Sequence, residues 1–446
     1  MTQRRDLTTG RILPTLFGLS FPIIGASFIQ MTYNLTDMFW LGQLGGKAVA
    51  AVGAAAFFAW LNSSFAYVTK IGVEVTVAQS IGAGKHKRAQ FFAAHAITIA
   101  TLISLIFILL TLVFANQMIG FFGLDKQITE NGASFLRIVS PGLLFTLLNQ
   151  TFSGIYNASG NSKTPLYING CGLLLNMTLD PFLIYGIGFF PKLGIDGAAI
   201  STALAQGLVS GLFAFRLFSH RSPIGKLSYI TQLRKRFVMR ILSLGFPVSL
   251  QSVLFCGISM ITTQLAAKWG YAAMVAQSIG GQIEAVSWMS AGGISTALGA
   301  FVGQNYGARK FDRIAKAYRA ALWIGVSIGS IVGLVFYFFG TNIFTAFVKD
   351  SAAAFEGGRY LKILAFSQLF MLTEMVTAGA FNGLGRTKPP TVIGIGFNIL
   401  RIPLAYALVA IPTLGVVGVW WSISISSILK GIVSPLWYRY KVAIRG

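Results

Sequence analysis

From Phe91 to Phe114 the chain carries no Asp, Glu, Lys or Arg, and apolar runs of this kind recur along its length, each closed by a short polar, glycine-containing cluster. Wound as an α-helix, an apolar run of about 20 residues matches the hydrocarbon thickness of a bilayer. The pattern predicts twelve such helices, over residues 14–40, 48–80, 91–116, 128–153, 165–187, 194–216, 241–266, 272–303, 318–340, 360–381, 390–411 and 415–436. Polar residues are confined to the punctuating loops, so lipid is the expected solvent and each span must satisfy its own backbone hydrogen bonds. The first apolar run is too long for a signal-peptide core and is expected to be retained as helix one.

The pattern also repeats. A shift of 225 positions lays Phe21-Pro22 on Phe246-Pro247, Gln79 on Gln304, Gly82 on Gly307, Lys85 on Lys310, Arg88 on Arg313, Asn157 on Asn382, Gly160 on Gly385 and Lys163 on Lys388. Shifts of 222 and then 221 carry Asn176 onto Asn398, Pro181 onto Pro403 and Gly197 onto Gly418. This is an internal duplication. The matching loops 79–88 and 304–313 are both basic, so both should face the cytoplasm and each repeat should hold an even number of spans. Six fits: residues 1–216 form one six-helix bundle, 217–240 a cytoplasmic linker and 241–446 a second bundle. Parallel repeats of this kind are the mark of a transporter working between two bundles.

Composition sharpens the reading at two points. The net charge of +23 invites a nucleic-acid partner, but 24 basic residues fall in alternate loops and the termini, against 6 (Lys47, Lys126, Lys192, Lys268, Lys349 and Arg359) in the remaining loops. The positive-inside rule accounts for that bias, puts both termini in the cytoplasm and leaves no nucleic-acid role to explain. Cys171 and Cys256 lie in different halves and inside predicted spans, so they read as packing residues rather than a disulfide. His95 reads as interfacial, and Trp420-Trp421, Tyr438 and Tyr440 as interface anchors. There is no His/Cys/Asp cluster at metal spacing, no phosphate loop and no Gly-x-Ser-x-Gly elbow, which excludes the common enzyme classes and ATP-driven transport. A secondary transporter without a cofactor is left, and it is expected to work as a monomer.

Five of the twelve acidic residues fall within apolar spans: Asp37, Glu74, Asp180, Glu284 and Glu374. A charge near a helix centre costs ~2.5 to 3.5 kcal/mol on insertion scales, so each calls for a function or a partner. In Asn176-Met177-Thr178-Leu179-Asp180-Pro181 the amide and the carboxylate share a helix face, and Pro181 cannot donate to the Met177 carbonyl. Those oxygens suit a proton or a small cation, the plainer alternative being an Asp that caps its own helix break. The repeat partner of Asp180 is Ile402 and that of Asp37 is Thr262, so both acids belong to the first half alone. Two carboxylates brought together in a low-dielectric site cannot both stay ionised cheaply, which is what proton coupling needs. Lys70 and Glu74 are spaced for an i, i+4 ion pair, which is expected to neutralise them, a proton relay being the alternative. Arg401 is placed to neutralise Glu284 or Glu374, and Met31, Tyr33 and Met38 around Asp37 suit either an apolar cavity or a lipid-facing surface.

Phe-Pro in the first span of each half, the loops Gln79-x-x-Gly82 and Gln304-x-x-Gly307, the run Asn382-Gly-Leu-Gly-Arg-Thr-Lys-Pro389 and the segment Asn176 to Pro181 together resemble the multidrug and toxic compound extrusion (MATE) family. The resemblance covers nearly the whole chain. It implies an all-α polytopic membrane protein, with twelve transmembrane helices in two parallel six-helix repeats around a central cavity, that exports organic, often cationic or amphiphilic, compounds in exchange for protons or sodium ions. By position, Asp37, Asn176, Asp180 and Thr202 match the family's cation-coupling residues, and would also be the ligands if the ion were Na+. Asn157 is expected to line the same lobe, with Met31, Tyr33, Glu284, Glu374 and Arg401 at the substrate cavity. Cys256 and Met371 stand where another branch of the family carries acids, which makes the chain more similar to the DinF-like branch. The implied location is the bacterial inner membrane, with the bilayer and small organic substrates as partners. Flippases for lipid-linked precursors and a membrane-integral enzyme are the alternatives.

Overall fold

The computed structural model describes residues 5–443 apart from 189, 220, 221, 226, 228–232 and 349. Twelve helices fill the described residues: α1 (Ile12–Gly42), α2 (Gly46–Gly82), α3 (His86–Gly120), α4 (Lys126–Ala158), α5 (Lys163–Tyr185), α6 (Ile195–Phe218), α7 (Lys235–Ala267), α8 (Tyr271–Gly307), α9 (Phe311–Phe347), α10 (Ser351–Gly383), α11 (Lys388–Val409) and α12 (Val416–Ala443). Eleven are long and apolar enough to cross a membrane. The twelfth, α5, falls short because Asn169, Asn176 and Asp180 dilute its apolar residues. Most helices outrun the apolar runs that announce them: α9 extends over Phe311–Phe347 where the apolar pattern covers 318–340. Hydropathy marks only the part of a helix that meets hydrocarbon, whereas backbone hydrogen bonding continues into the polar ends. Of the expected linker 217–240, residues 220, 221, 226 and 228–232 lie outside the described residues, as do Arg4, Lys349 and Arg445 among the basic residues counted above.

The chain divides into two compact units. The first comprises residues 1–9, Phe21–Ser249 and Gly307–Arg309; the second comprises Gly10–Ser20, Leu250–Tyr306 and Lys310–Gly446. Each half's first helix is therefore divided close to its internal proline, α1 just before Pro22 and α7 just after Pro247. Within the first unit α2, α3 and α4 pack on one another, α4 packs on α6 and α6 on α5; within the second, α9 and α12 pack on α10, and α11 on α12. The apolar interior of the first unit includes Phe92, Phe152, Tyr156 and Phe213, and that of the second Phe344, Tyr360, Leu364 and Trp420.

The duplication is written into the backbone. Lys85 N donates to Ser80 O at 2.9 Å, and Lys310 N to Asn305 O at 2.8 Å. Asn161 N donates to Tyr156 O at 3.1 Å, and Arg386 N to Phe381 O at 2.9 Å. The first loop turns through Gly84 at φ +72°, while the equivalent residue in the second, Arg309, holds φ +58° and is the one described non-glycine residue with positive φ. Close helix packing repeats as well: a Cβ on Gly154 would lie 3.1 Å from the Lys70 carbonyl oxygen, and one on Gly379 would collide with the equivalent Ser295 carbonyl.

Several placements differ from expectation. Trp420 is no interface anchor but a fully buried core residue whose Nε1 donates to Gln277 Oε1 at 3.1 Å, and Tyr438 is buried against Tyr318. A wide ring buries more apolar area inside a bundle than at its rim; the Trp420 N–H finds a partner there, whereas the Tyr438 hydroxyl is buried without one. Cys171 is exposed whereas Cys256 is buried. His95 is fully buried rather than interfacial: its Nε2 accepts from the Arg234 backbone N–H at 3.0 Å and its Nδ1 lies 2.7 Å from Phe91 O.

Candidate functional site

Three helices of the first unit bring the predicted polar residues together. On α5, Asn176 and Asp180 are fully buried one turn apart, and Asn176 Nδ2 donates to Asp180 Oδ1 at 3.1 Å and to Ser201 Oγ of α6 at 3.2 Å. Next along α6, Thr202 Oγ1 donates to Asp37 Oδ2 of α1 at 3.4 Å, and Tyr33 of α1 donates from its hydroxyl to the Thr202 carbonyl at 3.3 Å. Ser201 and Thr202 are adjacent on α6, so the Asn176–Asp180 pair and Asp37 converge on one point of that helix. Asp37 Oδ1, Asp180 Oδ2 and Asn176 Oδ1 are buried and have no hydrogen-bond partner. Oxygens so disposed are short of something positive: a proton shared between the carboxyls, or a cation held among them, removes the repulsion and the desolvation cost together.

The other predicted residues sit elsewhere. Met31 is half-buried on α1. Asn157 of α4 is buried, and its Oδ1 lacks a partner. Lys70 and Glu74 do not form the expected ion pair. Lys70 Nζ lies over the Tyr67 ring, 5.5 Å from its centroid, and Glu74 Oε1 is buried without a partner. Correct spacing along a helix brings two side chains within range but does not fix their rotamers. In this case the ring face takes the ammonium.

The second unit gathers its charges at a separate place. Gln368 Nε2 of α10 donates to Glu284 Oε1 of α8 at 3.2 Å, and Ser287 Oγ donates to Gln368 Oε1 at 2.8 Å. Arg401 of α11 donates from Nε to Ser426 Oγ at 2.7 Å and from an Nη to Ser427 Oγ at 3.2 Å, with its guanidinium over Phe255. Lys430 of α12 donates to Asn398 Oδ1 at 3.2 Å. Glu284 and Glu374 are electrostatic neighbours of both cations, yet neither acid comes within 4.0 Å of either, so Arg401 neutralises neither of them by direct pairing. Sequence reasoning missed Lys430, Ser201 and Gln368. A lysine in the middle of the last apolar run was a readable signal, whereas a serine or glutamine in a span carries none. Among the described residues no group of three or more His, Cys, Asp or Glu side chains is placed to hold a metal ion.

Comparison with known proteins bears on the family and the fold. The MatE family model matches residues 22–182 and again 247–407, two stretches separated by the same 225 positions as the internal repeat. "Probable multidrug resistance protein NorM" of Thermotoga maritima is 26% identical over 432 residues, 95% of this chain and 91% of that protein. A protein of Shewanella oneidensis named "FAD transporter" is 22% identical over 433 residues, 97% of this chain and 95% of its own. Among solved structures, a MOP superfamily transporter from Pyrococcus furiosus superposes with a TM-score of 0.92 at 23% identity, covering 99% of this chain and 98% of that one.

Proposed function

Because the chain belongs to the MatE family of multi-pass membrane transporters, and so is not an enzyme, we propose that it is a secondary antiporter. In this reading Asp37, Asn176, Asp180 and Thr202 hold the coupling ion, and the exported compounds are small and organic. The observation that carries the reading is the pair of converging carboxyls with unpartnered buried oxygens. An empty pair is costly and a filled one is cheap, so binding and release of the ion shift the balance between two arrangements of the bundle around it. The coupling ion is the proton, since two carboxyls can share one without further ligands. Sodium is the second reading, favoured by the unpartnered Asn176 Oδ1 and the nearby Thr202 hydroxyl. The protein acts as a monomer in the bacterial inner membrane with both termini in the cytoplasm, as its loop charges favour.

In proteoliposomes, a proton gradient imposed without sodium should drive ethidium movement by the wild-type protein. D37N and D180N should each lower the rate at least about tenfold, because each removes one of the two carboxyls. Ethidium export by the D37N/D180N double variant at the wild-type rate would remove this site from the mechanism. Dependence on a sodium gradient with indifference to pH would transfer the site to sodium.

A further inference from the structure

The charges of the second unit belong to one half only. By the repeat register Glu284, Glu374, Arg401 and Lys430 stand where the first half has Ala59, Asn149, Leu179 and Val209. Arg401 and Lys430 are 7% and 8% exposed and project from the middle of α11 and α12. A cation at this depth ordinarily pairs with a carboxylate. These two bond only uncharged partners, serine hydroxyls for Arg401 and the Asn398 amide for Lys430, and no carboxylate reaches either within 4.0 Å. Ser427, which Arg401 bonds, lies three residues before Lys430 on α12, and Asn398, which Lys430 bonds, lies three residues before Arg401 on α11, so the two cations are neighbours. On the facing helices, Glu284 is already engaged by Gln368. Two like charges are thus buried side by side with N–H groups to spare, since a guanidinium carries five and an ammonium three.

We propose that Arg401 and Lys430 form an oxyanion subsite that receives the carboxylate or phosphate of an exported organic compound. An oxyanion beside both groups neutralises their mutual repulsion and takes charge-assisted hydrogen bonds from the guanidinium edge and the ammonium. Glu284 and Glu374 flank the subsite and oppose any ligand of high negative charge, so the favoured substrate of this subsite is an amphiphile with one acidic group. The inference rests on the export reading for its purpose, but the subsite can be tested without transport.

The test uses thermal unfolding of the purified full-length protein in detergent, titrated with inorganic phosphate or with acetate at constant ionic strength made up with chloride. A ligand that binds the folded state raises Tm in a saturable way. The wild-type protein should respond to phosphate, to acetate or to both, the stronger response naming the preferred acid. R401Q and K430Q should each weaken the apparent affinity at least about tenfold. R401K and K430R keep the charge and should retain most of the response, which separates loss of binding from loss of folding. No response in the wild-type protein, or a response undiminished in R401Q and K430Q, overturns the subsite. A response to phosphatidylglycerol micelles in the absence of any to phosphate or acetate also overturns it, in favour of a bound lipid. If ethidium export succeeds while these titrations fail, only this inference falls; if the titrations succeed while ion-driven export fails, only the antiport reading falls.

Discussion

At the scale of single residues, the first unit's site depends on one amide. Asn176 holds Asp180 and Ser201 through the same nitrogen, so its orientation fixes which carboxylate oxygen is left unpartnered. Asn176→Leu strips Asp180 of that donor while preserving bulk, and should destabilise the protein by about 1–3 kcal/mol; it should also cut ion-driven export. Unchanged Tm and export in Asn176→Leu would mean that the amide is a bystander. The sequence already paired Asn176 with Asp180, since residues four apart share a helix face. It was silent on the convergence of Asp37 and Asp180, because that depends on how α1 and α5 meet α6, a packing choice that no spacing within any one helix encodes. It was misleading for Lys70 and Glu74, where the spacing was right but the Lys70 ammonium lies over Tyr67 instead.

At the scale of elements, the loops after α2 and α8 share one backbone path with different residues at the turn. Gly84 adopts φ +72° without strain, whereas Arg309 pays roughly 1–2 kcal/mol for a similar left-handed turn at φ +58°. Arg309→Gly should therefore raise Tm slightly and Arg309→Val lower it. The opposite order in a thermal melt would show that the arginine side chain outweighs its backbone. Gly379 gives a larger effect of the opposite sign. Its repeat partner Gly154 also packs against a neighbouring carbonyl, and Gly379→Leu would force α10 off α8, costing more than the 1–3 kcal/mol typical of overpacking. Poor recovery of folded Gly379→Leu protein from the membrane is the expected readout. These glycines were visible in the sequence as repeat matches, but which helix each one admits was not.

At the scale of the whole molecule, the helix count, the duplication and the family were legible because lipid imposes one rule on every span and the duplication stated it twice. The division of labour between the halves was legible only in part: Asp37 and Asp180 stood out as half-specific acids, but the charges of the other half looked like scattered exceptions until α8, α10, α11 and α12 gathered them. Cysteine labelling of whole cells tests the orientation. A cysteine at Arg234, in a background without Cys171 and Cys256, should stay unreactive to an impermeant reagent until the cells are opened. Labelling of intact cells would invert the topology, and with it the direction in which a proton gradient drives export.

The splitting of α1 and α7 near their prolines means that neither unit is encoded by a continuous gene segment. A fragment ending at residue 216 would leave the first unit without Lys235–Ser249, the stretch in which Gly245 lies against the Val68 backbone and Ile241 against Gly72. A fragment starting at residue 241 would leave the second unit without Gly10–Ser20, to which Arg313 is tied by a 3.0 Å bond from its guanidinium to the Gly10 carbonyl. Separately produced halves should be degraded, whereas co-expressed halves should rescue each other by trading these segments. The same exchange makes translation order matter, since α1 emerges from the ribosome well before the residues that complete the unit to which its first turns belong.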